Sequence, residues 1–300
     1  MSSIGKCPIC SNIRDLPHHL FELSEYCRYL DNKSNFSRFN SSRIVSTKVI
    51  ADWLKLAAQL ESVEVNAWKF ENADAAMFCE PIADEFDSNS KHLSSYSMEL
   101  VRFTFIANAL EELYRFVDRH YDELPISNSK KQEDNQSIRA AALVDRLKPS
   151  ELPVNYKHIV ENLAIKFSRY KIAFNPTMTG MKHVKETNNS YGLHLVRNLR
   201  NHIAHGIFPL IDNPEYWGNE KNKINLIHLM RHAGQTAGIF IQALLSKYNH
   251  GFQSHDYDYV MNVQDEDGET FFAENCTTEL ALHLHMQGKF SFEKPEGDRN

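Results

Sequence analysis

The segment LVRNLRNHIAHG, from Leu195 to Gly206, has the pattern of a helix that ends at a glycine. At 100° per residue its apolar residues share one side, which predicts that this side faces a hydrophobic core; they are Leu195, Val196, Leu199 and Ile203. His202 lies at the edge of this stripe, where we expect it to pack against the core. The opposite side is polar and carries His194, Arg197, Asn198, Asn201 and His205.

The residue types on this polar side are unusual for a helix surface in water. Such surfaces usually carry Glu and Lys, which favour helices more than Asn and His do. No carboxylate occurs between Asn188 and Pro209, so Arg197 and Arg200 have no acidic neighbour nearby in the sequence. The segment therefore predicts a cationic surface that suits a bound anion. An ordinary solvated helix face is the alternative.

The composition favours a protein built from long helices. The chain has 300 residues, enough for one or two domains, and only 11 Gly and 10 Pro. A net charge of −6 argues against a broad basic surface that coats nucleic acid, although a local phosphate site is compatible with it. The longest nearly apolar run, GIFIQALL, is too short to span a bilayer, and the first ten residues lack the apolar core of a secretion signal. We therefore expect a cytoplasmic protein without membrane contact.

Apolar spacing predicts an all-α fold, an up-and-down helical bundle. The predicted helices cover residues 43–72, 93–123, 137–148, 155–174, 189–205 and 222–249. Alternating residues around an Asp-Gly pair predict a hairpin within 255–275. We divide the chain into an N-terminal Cys/His element, a helical segment, the bundle, and a C-terminal hairpin and tail, at residues 1–40, 41–92, 93–250 and 251–300.

One hexapeptide within this bundle carries a family resemblance. Arg200-Asn201-x-x-x-His205 resembles the R-x4–6-H motif of the HEPN superfamily, in which a polar residue often follows the arginine. Its position near the end of the penultimate long helix also resembles that family. The resemblance implies a HEPN-like helical bundle over residues 93–250.

The resemblance further implies a metal-independent endoribonuclease, in which the RNA 2′-hydroxyl attacks the adjacent phosphate. His205 would be the general acid or base, because imidazole changes charge near neutral pH and a helix C-terminus favours its cationic form. Arg200 would bind the phosphate through its planar fork, and Asn201 would orient the phosphate or His205. Arg197 and His194 extend the same surface as candidate substrate-binding residues.

HEPN ribonucleases usually form their site between two domains, so one motif per chain implies a homodimer. The resemblance also implies a toxin or antiviral defence effector, with an antitoxin or another regulatory protein as a candidate partner. Two alternatives stay open. One is a non-catalytic RNA-binding or nucleotide-binding HEPN module, and the other is a zinc-stabilised helical adaptor for a partner protein.

Three of the five cysteines lie within the first 27 residues, which favours a metal site over a disulfide framework. Cys7 and Cys10 form a C-x2-C pair, and tetrahedral zinc needs two further ligands. Cys27 and either His18 or His19 are the candidates. Such zinc would be structural, and catalysis needs no cofactor. Two unpaired thiols at the N-terminus are the alternative.

Overall fold

The computed structural model describes residues 15–38, 41–71, 80–125, 133–153, 156–210, 213 and 225–250. These residues are mainly helical, as predicted, with one small antiparallel sheet. In chain order the elements are α1 (Leu16–Leu30), β1 (Lys33–Arg38), β2 (Ser41–Ser46), α2 (Thr47–Gln59), α3 (Glu80–Asp122), α4 (Gln136–Asp145), a 3-10 turn (Pro149–Glu151), α5 (Tyr156–Phe174), α6 (Tyr191–Ala204) and α7 (Leu226–Lys247).

Helix α7 lies at the centre of the hydrophobic core and is buried on every side from His232 to Ser246. It contacts α1, α3, α4, α5 and α6. Two of its glycines allow close packing: a Cβ at Gly234 would meet Ile106 and Leu16, and one at Gly238 would meet His19. These small residues therefore pack α7 within the chain, against α1 and α3.

The N-terminal third of the chain differs most from the prediction. Residues 16–30 form a helix whose buried side chains recur at helical spacing and join the same core as the rest, namely Leu16, Leu20, Leu23, Cys27 and Leu30. Residues 41–46 form a strand instead of the start of the helix predicted over 43–72. That helix also ends early, at Gln59, where Arg102 of α3 donates hydrogen bonds to the carbonyl oxygens of Ala57 and Leu60.

Helix α3 is 43 residues long and begins at Glu80, well before the predicted start at residue 93. Pro81 occupies the first turn of α3, where a missing N–H costs nothing. Residues 87–90, with the sequence DSNS, are helical as well. Ser90 Oγ donates to the carbonyl oxygen of Phe86, so this hydroxyl is satisfied within the helix.

A buried charge network fixes α4 and the hairpin β1–β2 on α3. Arg139 is fully buried, and its Nε lies 2.7 Å from Asp118 Oδ1 while its Nη2 lies 2.8 Å from Asp122 Oδ1. Arg38 of β1 binds the other oxygen of Asp118 at 2.5 Å. Because each charge has a hydrogen-bonded partner, the network holds the N-terminal end of α4 beside α3.

The predicted hairpin at 255–275 and the C-terminal tail lie outside the described residues. The domain boundaries stay predictions, although α1 shares the core of the bundle. Within the described part of the chain, no helix is long and apolar enough to cross a membrane.

Candidate functional site

Helix α6, which carries the HEPN-like motif, is fixed at both ends. At its start, Asp145 of α4 accepts hydrogen bonds from the backbone N–H and the hydroxyl of Ser190, at 2.8 and 2.9 Å. At its end, Gly206 has a φ of 67°, as the predicted glycine terminus requires, and the next two backbone N–H groups donate to the His202 carbonyl oxygen. The last turn of α6 therefore has a defined direction.

Part of the predicted polar surface of α6 is buried under the loop 175–190. Asn198 is fully buried and exchanges hydrogen bonds with the backbone of Thr179, accepting from its N–H at 2.8 Å and donating to its carbonyl oxygen at 3.1 Å. Arg197 Nη2 donates to the same carbonyl oxygen at 2.5 Å. Gly180 lies against this guanidinium with a φ of 66°, and a Cβ there would overlap it. These polar residues therefore bind the loop.

The side chain of His194, a predicted substrate-binding residue, is shielded from solvent. Its pKa falls to about 4, mainly because burial penalises the charged form and also because Arg197 is close. A buried, neutral imidazole does not attract a phosphate. His202 is also buried, and its ring nitrogens bond to the Tyr170 hydroxyl and the Thr177 carbonyl oxygen, which confirms its predicted place at the core edge.

The three residues of the HEPN-like motif are the accessible ones. The Arg200 side chain is 41% exposed, and its Nη1 donates to Asn201 Oδ1 at 3.3 Å. His205 is the residue that caps the C-terminus of α6, and it is exposed. Asn201 is partly exposed one turn before it, and its carbonyl oxygen accepts from the His205 N–H at 3.0 Å. The end of α6 thus presents a guanidinium, an amide and an imidazole to solvent.

The expectation that the arginines lack acidic partners is wrong for one of them. Arg200 Nη2 lies 3.5 Å from Oε1 of Glu111, a residue of α3. The absence of carboxylates along the sequence of α6 therefore does not make its surface carboxylate-free. Nothing in the local sequence of either helix indicates this pair, because it forms only when α3 and α6 pack side by side.

A cleft of about 580 Å³ opens beside Arg200 and Asn201. Its walls come from Glu111 and Arg115 of α3, residues 134–138 at the start of α4, Thr179–Gly180, and Arg197, Arg200 and Asn201 of α6. His205 does not line it. The helix predicted over 137–148 begins one residue earlier, at Gln136, because Asn135 is its cap and accepts from the N–H groups of Ser137 and Ile138.

The predicted zinc ligands are only partly described. Cys7 and Cys10 lie outside the described residues. His18 is exposed and binds Asp15, whereas His19 is buried beside Gln242 and burial lowers its pKa to about 4. Cys27 is fully buried and burial raises its thiol pKa; within the described ranges, no three His, Cys, Asp or Glu residues form a metal-binding group. The zinc site stays a prediction.

Comparison of the chain with protein-family models, curated proteins and solved structures gives no significant match. The similarity of Arg200, Asn201 and His205 to the HEPN motif is therefore a resemblance in six residues.

Proposed function

We propose that this protein is a metal-independent endoribonuclease of the HEPN type that acts as a homodimer. One observation carries the proposal: the motif residues Arg200, Asn201 and His205 remain accessible at the end of α6, while His194 and His202 of the same helix are buried. A base, a cation and an amide donor at one helix end are the groups that RNA transesterification needs.

In the proposed reaction, His205 accepts the proton of an RNA 2′-hydroxyl as this oxygen attacks the adjacent phosphorus. The new bond joins the 2′-oxygen to phosphorus, and the bond from phosphorus to the 5′-oxygen breaks. The products are a 2′,3′-cyclic phosphate and a 5′-hydroxyl. The leaving 5′-oxygen takes its proton from the equivalent histidine of a second copy, which enters the step in its protonated form and acts as the general acid.

Arg200 and Asn201 stabilise the charge that builds up on the phosphate oxygens. The Arg200 guanidinium is planar and always charged, so it matches two phosphate oxygens. Its hydrogen bond is accepted by Asn201 Oδ1, which leaves the Asn201 amide N–H groups to donate to the phosphate. Both residues thus act on the phosphate, while His205 moves the proton.

The surface after the motif supports dimerisation. Ile207 is 52% exposed and Leu210 is 65% exposed, immediately after His205 in the chain. Because both side chains follow the motif closely in the chain, they are candidates for contact with a second copy of the protein. In this proposal a second copy covers them and brings two motifs together. The biological role that follows is a cytoplasmic toxin or antiviral effector, restrained by an antitoxin or a similar partner.

The test is cleavage of an end-labelled RNA by the purified full chain in the presence of a metal chelator. We expect a cyclic phosphate end, and a loss of at least about 100-fold in rate for His205→Ala and for Arg200→Ala. His183→Ala is the matched control, because His183 is exposed in the loop 175–190. Wild-type rates in both motif variants, with unchanged melting temperatures, would contradict the proposal.

A second candidate is a non-catalytic RNA-binding module. The ion pair between Arg200 and Glu111 favours it, because a paired arginine is less available to a transition state. The same experiment separates the two: RNA that binds but stays intact, with weaker binding in Arg200→Ala and unchanged binding in His205→Ala, indicates the binding module. The zinc-stabilised adaptor has no support of this kind among the described residues.

A further inference from the structure

The cleft beside α6 contains a buried cation whose charge is not neutralised by an ion pair. Arg197 is 9% exposed and lines this cleft. Its Nη2 donates to the Thr179 carbonyl oxygen, and within the described residues its Nε has no hydrogen-bond partner. Within the described residues Arg197 forms no ion pair, and Glu133 is a carboxylate that acts on its charge through space. Burial lowers the pKa of Arg197, whereas Tyr114 and the Glu133 carboxylate act in the opposite direction.

The other arginines of the cleft differ from Arg197 in this respect. Arg115 lies 2.6 Å from Glu112, and Arg200 lies 3.5 Å from Glu111. A buried guanidinium without a carboxylate is costly in the folded chain, and an anion that enters the cleft supplies the missing charge. The cleft is thus arranged to take a negatively charged ligand next to Arg197.

The start of α4 contributes to the same cleft. Residues 134–138 form one wall, and α4 is ten residues long, so its N-terminal end carries a positive partial charge. Asn135 already accepts from the Ser137 and Ile138 N–H groups. The contribution of α4 is therefore its helix dipole, which favours an anion facing Arg197.

The size and the remaining walls of the cleft indicate what the anion is attached to. A volume of about 580 Å³ is larger than a phosphate ion needs and is typical of sites for small organic molecules. Glu111 and Asp134 also line the cleft, and carboxylates accept hydrogen bonds from hydroxyl or amino groups. A phosphate group on an organic part rich in hydroxyls satisfies both sets of groups.

We propose that this cleft binds a phosphate monoester, with the phosphoryl group between Arg197, Arg200 and the N-terminal end of α4. The cleft shares Arg200 and Asn201 with the proposed ribonuclease site, whereas His205 lies outside it and no bond is broken in binding. Nucleoside monophosphates and sugar phosphates are the two classes of ligand that carry such a phosphoryl group.

Isothermal titration of the full chain with adenosine 5′-monophosphate, glucose 6-phosphate, inorganic phosphate and adenosine tests the proposal. We expect saturable binding of at least one monoester, weaker binding of inorganic phosphate and none of adenosine. The monoester that binds more tightly identifies the source. Absence of binding for both monoesters, or equal binding of adenosine and its monophosphate, overturns the proposal. These probes are not RNA substrates, so the result does not depend on cleavage.

A variant that adds a negative charge to the cleft tests whether the ligand binds there. Ser137→Asp adds a carboxylate in the first turn of α4, where the dipole stabilises it, so the fold is retained while the anion is repelled. We expect monoester binding to weaken by at least about tenfold. Ser168→Asp makes the same charge change at an exposed position of α5 outside the cleft and should bind as the wild type does. Equal binding by the two variants contradicts the assignment of the ligand to this cleft.

Discussion

Arg200 of α6 and Glu111 of α3 form an ion pair, with 3.5 Å between Nη2 and Oε1, at the edge of the candidate site. Their side chains are 41% and 27% exposed, so water screens the pair and it contributes at most about 1 kcal/mol to stability. Its larger effect is on function, since an RNA phosphate has to compete with Glu111 for the same guanidinium.

Removing this competitor should improve substrate binding. In Glu111→Gln we expect KM for RNA to fall by up to about fivefold, the equivalent of about 1 kcal/mol, with a stability change below that value. Steady-state cleavage kinetics measure it. Glu151→Gln removes a partly exposed partner of Lys247 elsewhere in the chain and should leave KM unchanged. A KM that stays the same or rises in Glu111→Gln would show that the carboxylate positions Arg200 instead of competing for it.

The apolar surface after His205 should be needed for dimerisation. We expect Ile207→Glu or Leu210→Glu to raise the dimer dissociation constant at least about tenfold, because burying a carboxylate in an apolar interface is unfavourable. Light scattering coupled to size-exclusion chromatography gives the mass, and RNA cleavage should fall with the dimer fraction. Ile44→Glu changes another exposed apolar side chain, on β2, and should leave the dimer intact. A monomeric variant with full activity contradicts the dimeric site.

Two buried histidines should make the fold sensitive to mild acid. The pKa of His19 and of His194 falls to about 4 from an ordinary 6.5, chiefly because of burial. Below pH 6.5 the unfolded chain therefore binds protons that the folded chain does not. The contribution of the two neutral histidines to the free energy of unfolding is complete above pH 6.5 and is lost as the pH falls towards 4. The loss is about 3 kcal/mol per histidine at its limit.

Urea unfolding at pH values between about 7.5 and about 4.5 measures this loss, because this range lies mostly between the ordinary and the lowered pKa of the two histidines. His19→Gln keeps a polar group near Gln242 and should show a smaller decline in unfolding free energy than the wild type. His183→Gln, at an exposed histidine, is the comparison and should follow the wild-type profile. Parallel profiles for all three proteins would mean that His19 is not protonated on unfolding in this range.

Two glycines with the same backbone conformation provide a matched pair. Gly180 and Gly206 have φ values of 66° and 67°, so alanine at either position costs about 1–2 kcal/mol of backbone strain. A Cβ at Gly206 meets no atom within 4 Å, whereas one at Gly180 overlaps the Arg197 guanidinium. We expect Gly180→Ala to lower the unfolding free energy by about 3 kcal/mol or more, and Gly206→Ala by only the strain. Chemical denaturation of the two variants measures these losses. Equal losses of unfolding free energy in Gly180→Ala and Gly206→Ala would mean that Arg197 moves aside freely.

The zinc prediction is tested by metal analysis of the purified chain. We expect about one zinc per chain, since four protein ligands complete a tetrahedral site, and none in Cys7→Ser or Cys10→Ser. Cys79→Ser is the control, because that cysteine was not predicted as a ligand. A metal-free wild-type chain would leave the two N-terminal thiols unpaired, as in the alternative interpretation.

The helices with clear apolar spacing were predictable to within a few residues. The ranges 155–174, 189–205 and 222–249 correspond to α5, α6 and α7. The hairpin formed by β1 and β2 was not predictable, because β1 has the sequence KSNFSR, in which a single apolar residue cannot show the alternation of apolar and polar side chains typical of a strand. Helix α1 has regular apolar spacing from Leu16 to Leu30, so its helical form was predictable from the local sequence.

The sequence by itself determined that α6 has an apolar stripe, a glycine terminus and a motif of Arg200, Asn201 and His205. These features depend on residue spacing and backbone preference, which are local. Only the tertiary structure decided which polar residues of α6 meet solvent, because the loop 175–190 covers Arg197 and Asn198 through the backbone of Thr179. Tertiary packing also brought Glu111 to Arg200 and the start of α4 to the cleft. Contacts between segments far apart in the chain form when the core closes, so no local pattern indicates them.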